Sequence, residues 1–312
     1  MLLSEERASE RLDADWVCRR YEEIRARLPM ARFPATSRRI GNLGDLSGEI
    51  DVFVLDGYGV LNVGARVVPG APERIAALRA AGKRLFVLTN GASYPAARTL
   101  LRYRRLGFDF TAGEVVSSRD ALARALAGRQ ELRWGFAAVE ASAIGELAQA
   151  GVRLGDDPAD YDAVDGFVLL STGDWNRARQ DLLLASLRAR PRPVLVGNPD
   201  LVSPREDGLA AEPGLYAHEI ADLTPCQPEF YGKPFANVFE LVRERIGAGP
   251  DSGVPPHRIA MAGDTLHTDI LGGACMGWRT VLVLDHGLLK GFAAGSLDRL
   301  SDIRPDFIAD TT

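Results

Sequence analysis

Cysteine and histidine are scarce in this chain of 312 residues, with three and four copies respectively. Cys18, Cys226 and Cys275 lie far apart and are odd in number, which argues against a disulfide framework or a zinc knuckle. No run of about 18 apolar residues occurs, and residues 1–11 are charged rather than signal-like, so no membrane partner and no export are expected. Internal repeats and low-complexity tracts are missing as well. Basic residues are not in excess: 37 Lys and Arg stand against 42 Asp and Glu, a formal net charge of −5, which argues against a nucleic-acid partner. The expectation is a cytoplasmic, soluble protein.

What is present is the composition of an ordinary globular chain, 46% hydrophobic and 25% charged. The length suits two domains of roughly 150 residues each, large enough to bury a core without metals or disulfides. Residues 1–48 differ in texture from the rest. Residues 4–28 are rich in Glu, Arg and Ala with sparse apolar positions at Trp16, Tyr21, Ile24 and Leu28, which predicts one or two surface helices ended by Pro29 and a connector to Gly48. This segment reads as a packing appendage.

From Ile50 the pattern changes. Residues 50–56 form a short apolar run without alternation, as expected for a parallel strand covered on both faces. A helical stretch through Ile75, Leu78 and Ala81 follows, then a strand over 84–89 and a helix over 94–106. The same order resumes late, with a helix over 235–246 and strands over 259–262 and 280–284. Strand and helix in alternation predict a doubly wound, Rossmann-like α/β core with a parallel sheet. The middle carries its own strands, at 135–139, 166–170 and 194–196, and helices at 143–150 and 175–189. It reads as an inserted α/β cap domain over 128–224, leaving 49–127 and 225–312 as the core.

Four clusters carry residues suited to chemistry. Asp56 ends the first buried strand and precedes Gly57-Tyr58-Gly59. In an open parallel sheet, ligands bind beyond the carboxyl ends of the strands, so this carboxylate faces a site or caps a turn. Thr89-Asn90-Gly91 ends the second strand, where a hydroxyl and backbone N–H groups can bind an anion or make a turn. Lys233, in Tyr231-Gly232-Lys233-Pro234, sits at the start of a helix, the wrong end of its dipole for a solvated cation; a phosphate or carboxylate partner explains it better. Last, Gly263-Asp264 and Asp269 follow another strand; with Asp56 they make an oxygen-rich set suited to Mg²⁺, although Asp269 could instead cap the helix.

Together and in this order, the four clusters resemble the haloacid dehalogenase superfamily, specifically its class IIA branch of pyridoxal-phosphatase and p-nitrophenyl-phosphatase-like enzymes. The resemblance spans about residues 50–308, and Asn198-Pro199-Asp200 resembles a recurring cap-side loop of that branch. It implies Asp56 as the nucleophile that forms an aspartyl-phosphate, and Thr89 with Asn90 as the phosphate-binding element. It implies Lys233 as the bridge between nucleophile and phosphate. Asp56, Asp264 and the Tyr58 carbonyl would be Mg²⁺ ligands, with Asp269 supporting the metal. The implied substrate is a small phosphorylated metabolite, and caps and appendages of this kind often support a homodimer.

The chain departs from the resemblance at one position. Phosphatases of that superfamily usually carry a second aspartate two residues after the first, and here that residue is Tyr58. The missing carboxylate is the group that protonates the leaving oxygen and then activates water, help worth about 10²–10⁴ in rate. Tyr58 can donate a hydrogen bond or position a water, but at a usual phenol pKa of about 10 it is a poor base. Three readings follow: a Mg²⁺-dependent phosphatase with acid supplied from elsewhere, a catalytically impaired binding or regulatory homologue, and a carbon–halide hydrolase. The retained Asp264 and Asp269 speak against the last.

Overall fold

In the computed structural model, the described residues are 12–140, 143–147, 151–205, 208–248 and 253–312. They form two parallel sheets flanked by helices. The larger sheet has seven strands in the order Arg38–Ile40, Phe307–Ala309, Arg279–Val283, Ile259–Gly263, Val52–Leu55, Arg84–Thr89 and Val115–Ser117. All its ladders are parallel. Every residue of Val52–Leu55 and Ile259–Gly263 is buried, which is why these runs read as continuous rather than alternating. The two-residue period survives inside the protein. Phe53, Leu55, Leu85 and Val87 face one apolar layer, while Val52, Val54, Phe86 and Leu88 face the other with Val238, Phe239 and Val242 of the helix Ala236–Gly247.

The second sheet lies mostly within the stretch expected from the sequence as a cap, and that stretch is called the cap below. Its order is Glu229–Phe230, Val194–Val196, Gly166–Leu169, Trp134–Ala137 and Gly151–Arg153, again parallel throughout. Two details differ from the sequence-based outline. Arg38–Ile40, inside the expected connector, is the edge strand of the core sheet, and Glu229–Phe230 extends the cap sheet past 224. The helix expected over 143–150 is replaced at 143–147 by a tight turn, closed by Leu147 N–H donating to the Ile144 carbonyl at 2.7 Å. The buried Arg119 guanidinium donates to the Ala143 carbonyl at the start of this turn. Residues 148–150 lie outside the described residues.

The amino-terminal segment is more than a surface helix. Ala14–Glu23 is helical, capped by Asp13, whose side chain accepts from Trp16 N–H at 2.8 Å. Its face of Val17, Cys18 and Tyr21 is buried against Leu201 and Val202 of the cap and Leu266, Ile270 and Leu271 of the core. Arg20 and Arg27 reach Asp222 on the cap helix Pro213–Leu223, at 2.5 and 2.6 Å. The appendage therefore joins the two domains. Among the described residues, no helix is long and apolar enough to cross a membrane.

Candidate active site

The carboxyl ends of three neighbouring core strands supply the centre of the site. Asp56 follows Val52–Leu55 and continues its pairing, donating its N–H to the Ala262 carbonyl at 2.8 Å. The loop then turns at Gly59, where φ is +79° and a side-chain carbon would lie 2.4 Å from an Asp264 carboxylate oxygen. Only glycine lets the two loops approach this closely. Asp264 follows the strand Ile259–Gly263, and its oxygens accept from the Thr265 hydroxyl at 2.8 Å and Leu288 N–H at 2.7 Å. Asp269, wholly buried on the next turn, accepts from Thr265 N–H at 3.1 Å.

Lys233 meets these carboxylates. Its Nζ lies 2.5 Å from Asp56 Oδ1 and 2.7 Å from Asp269 Oδ1, with the side chain buried. Asn90 fixes that lysine from both sides: its Oδ1 accepts from Lys233 N–H at 2.7 Å, and its Nδ2 donates to the Lys233 carbonyl at 3.0 Å. The same Nδ2 donates to Asp200 Oδ1 of the cap at 2.8 Å. Asn90's side chain thus braces the site, leaving Thr89 as the pocket-lining hydroxyl at this strand end, itself accepting from Gly91 N–H at 3.1 Å.

Asp56, Asp264 and Asp269 can each bring an oxygen within 4.8 Å of the others. Three buried carboxylates against one ammonium leave excess negative charge. Burial pushes the Asp56 carboxyl well above its ordinary range, Lys233 opposes that push, and the Asp269 and Asp264 charges add to it. Burial and the Asp269 charge push Asp264 up to about 7. Burial alone would lower the Lys233 pKa, but Asp269 and Asp56 hold it above the usual lysine value. An all-oxygen donor set with uncompensated negative charge fits a hard divalent cation such as Mg²⁺. Asp264 lines the adjoining cavity and Asp269 does not, so Asp269 stands behind the cluster.

Above the carboxylates is a cavity of about 60 Å³, closed by Asn198, Asp200, Ser203 and Glu212 of the cap. Asp56, Thr89 and Asp264 line it from the core side. It adjoins a larger cleft of about 960 Å³ between the core helix Ala96–Arg105 and the cap. Tyr58, Thr89, Gly91, Ser93, Arg205 and Glu212 line both spaces.

Two models of known families match the chain: haloacid dehalogenase-like hydrolase over residues 53–153, and HAD-hydrolase-like over residues 230–312. Human glycerol-3-phosphate phosphatase is 33% identical over 303 residues, covering 85% of this chain and 90% of its own. This chain belongs to the haloacid dehalogenase-like hydrolases. Its fold is shared by a possible sugar phosphatase of that superfamily from Cytophaga hutchinsonii, with TM-score 0.76, 24% identity, and coverage of 88% of this chain and 98% of that one. A glycerol phosphate phosphatase from Mycobacterium tuberculosis, crystallised with magnesium, has TM-score 0.65 and 23% identity, covering 85% and 75% of the two chains.

All the residues singled out from the sequence of this hydrolase come together, and others join them unannounced. Asp200 is half-buried beside the site, and burial together with the Asp56 charge raises it to about 8 against the opposing pull of Lys233. The Asn198-Pro199-Asp200 loop was the one signal for it. Glu212 is buried, accepts from Asn198 Nδ2 at 3.0 Å, and carried no signal. His267 is buried beside the carboxylate loop: Tyr21 stacks on it at 4.7 Å, and Glu22 lies 2.7 Å from its Nε2. Tyr21 Oη also accepts from Leu201 N–H of the cap at 3.1 Å. One tyrosine of the appendage therefore touches both the carboxylate loop and the cap. Arg177 is engaged by Asp181 and Glu219, and Trp175 donates to Gln180, so both are packing residues, although Trp175 also borders the cleft.

Proposed function

We propose that this hydrolase is a Mg²⁺-dependent phosphatase of a small phosphorylated metabolite, acting through an aspartyl-phosphate on Asp56. The observation that carries the reading is Lys233 Nζ bridging Asp56 and Asp269 next to a cavity that Asp56, Thr89 and Asp264 line. The similarity to human glycerol-3-phosphate phosphatase supports the substrate class.

The residues divide the work as follows. Asp56 Oδ attacks phosphorus, and the bond from phosphorus to the leaving oxygen breaks. Lys233 and the Thr89 hydroxyl face the charge spread over the remaining phosphoryl oxygens. Asp56, Asp264 and the Tyr58 carbonyl would hold the cation, with Asp269 orienting Lys233 behind them. When bound, the cation supplies charge stabilisation of the phosphoryl oxygens. The carboxyl suited to protonate the leaving oxygen is Asp200, held protonated at neutral pH by its surroundings. Having lost its proton, Asp200 can take one from the water that attacks the aspartyl-phosphate, releasing phosphate and restoring Asp56. Tyr58 Oη already accepts from Arg102 at 3.0 Å and Arg205 at 3.4 Å, which suits a recognition role better than that of a base.

The competing reading, a binding homologue without turnover, rests on Tyr58 alone. Phosphate release from a panel of phosphomonoesters, with and without Mg²⁺, separates the two. Metal-dependent release is expected; ligand binding without release from any member would sink the phosphatase reading.

A further inference from the structure

The cleft beside the phosphoryl cavity has an unbalanced charge. Four arginines line it, Arg98, Arg102, Arg105 and Arg205, against the single carboxylate of Glu212. Arg98 is neutralised by Glu140 at 2.7 Å, and Arg205 is paired with Glu212 at 3.1 Å. Arg102 is half-buried, yet among the described residues it bonds only to neutral groups, Tyr58 Oη at 3.0 Å and the Gly64 carbonyl at 2.5 Å. A guanidinium offers five N–H donors, so each of Arg102 and Arg205 retains several beyond these bonds.

Tyr58 organises the pair. The guanidinium carbons of Arg102, from the core, and Arg205, from the cap, lie 4.9 and 5.5 Å from its ring centroid. Tyr58 follows the nucleophile by two residues and lines both the phosphoryl cavity and the cleft. The two cations therefore flank the passage through which a leaving group must extend. A half-drawn-in guanidinium facing neutral partners is costly unless an anion completes it.

We propose that Arg102 and Arg205, held by Tyr58, form a second anion site that selects phosphomonoesters whose leaving group carries a carboxylate or a further phosphate. This rests on the phosphatase reading and adds a substrate class to it. The residue that replaces the usual aspartate is, on this view, a specificity-determining one.

The test uses the full chain with Mg²⁺ and matched substrates. Glycerol 3-phosphate and 3-phosphoglycerate differ only in CH₂OH against carboxylate; fructose 6-phosphate and fructose 1,6-bisphosphate differ by a phosphate. The acidic member of at least one pair should have a kcat/KM about 10-fold higher or more, and the responding pair names the anion. Arg102→Met should reduce that preference about 10-fold, towards parity. Arg205→Met, on the cap, should do the same, which covers the case in which loss of the Gly64 bond disturbs the first variant. Equal kcat/KM within both pairs would overturn the proposal, as would equal losses on both members in both variants. p-Nitrophenyl phosphate separates the two failures: its turnover without any acid preference removes the anion site alone. If no ester is turned over, calorimetric binding of 3-phosphoglycerate and glycerol 3-phosphate to the Asp56→Asn protein still decides, because equal affinities would remove the site.

Discussion

The two ends of the site are built differently. At the proposed phosphoryl end, Asp56, Lys233, Asp264 and Asp269 are buried; Asp56 and Asp264 directly follow core strands, and Asp269 lies on the helical turn after the second. At the leaving-group end, Tyr58, Arg102 and Arg205 are partly or fully open to solvent and come from a loop, a helix and a cap strand. The positions of the first end follow from sheet register. The second draws its residues from separate segments of core and cap. Chemistry common to many substrates belongs at the first; selection among them belongs at the second.

The largest expected effect breaks the phosphoryl end outright. Asp56→Asn keeps the shape and removes the nucleophile, so phosphate release should fall on the order of 10⁴-fold or more while the circular dichroism spectrum is unchanged. Activity near that of the parent in a folded Asp56→Asn protein would remove the covalent route. Next, Lys233→Met leaves two buried carboxylates facing each other without their cation. Urea unfolding should show a loss of about 3–5 kcal/mol.

A third prediction moves to the cap. Asp200→Asn should slow alkyl phosphates about 10²–10⁴-fold and p-nitrophenyl phosphate much less, since a phenolate departs without a proton. In the parent, donation by a carboxyl with a pKa of about 8 requires its protonated form, so kcat on alkyl phosphates should fall as pH rises through about 8. A rate that is flat across that window would reassign the proton donor. The smallest effect is expected at the position that departs most from the superfamily pattern. Tyr58→Phe keeps the ring between the arginines and should change p-nitrophenyl phosphate turnover by less than about 3-fold. A 100-fold loss would place the proton on Tyr58 rather than Asp200.

The same contrast explains what could be read from the sequence. Asp56, Thr89 and Asp264 each end a short apolar run, so strand, turn and carboxylate or hydroxyl appear together within a few residues. The parallel core strands were legible for that reason. The leaving-group end was not, because its contacts join Tyr58 to residues 44 and 147 positions away, with no local pattern to mark either. What the appendage packs against was not legible for a related reason. Its buried face is complementary to two domains at once, so Tyr21 and Glu22 look like ordinary members of a charged helix until His267 and Leu201 are placed against them.

Catalysis through Asp56 requires a phosphoryl group to rest on its carboxylate. Acid quenching within the first turnover of a radiolabelled phosphomonoester, with Mg²⁺ present, measures this directly. The predicted result is label bound to the parent chain, mapped by peptide mass to Asp56, discharged on longer incubation, and missing from Asp56→Asn. Release of labelled phosphate with no label on the parent chain at any quench time, together with an Asp56→Asn protein as fast as the parent, would contradict it.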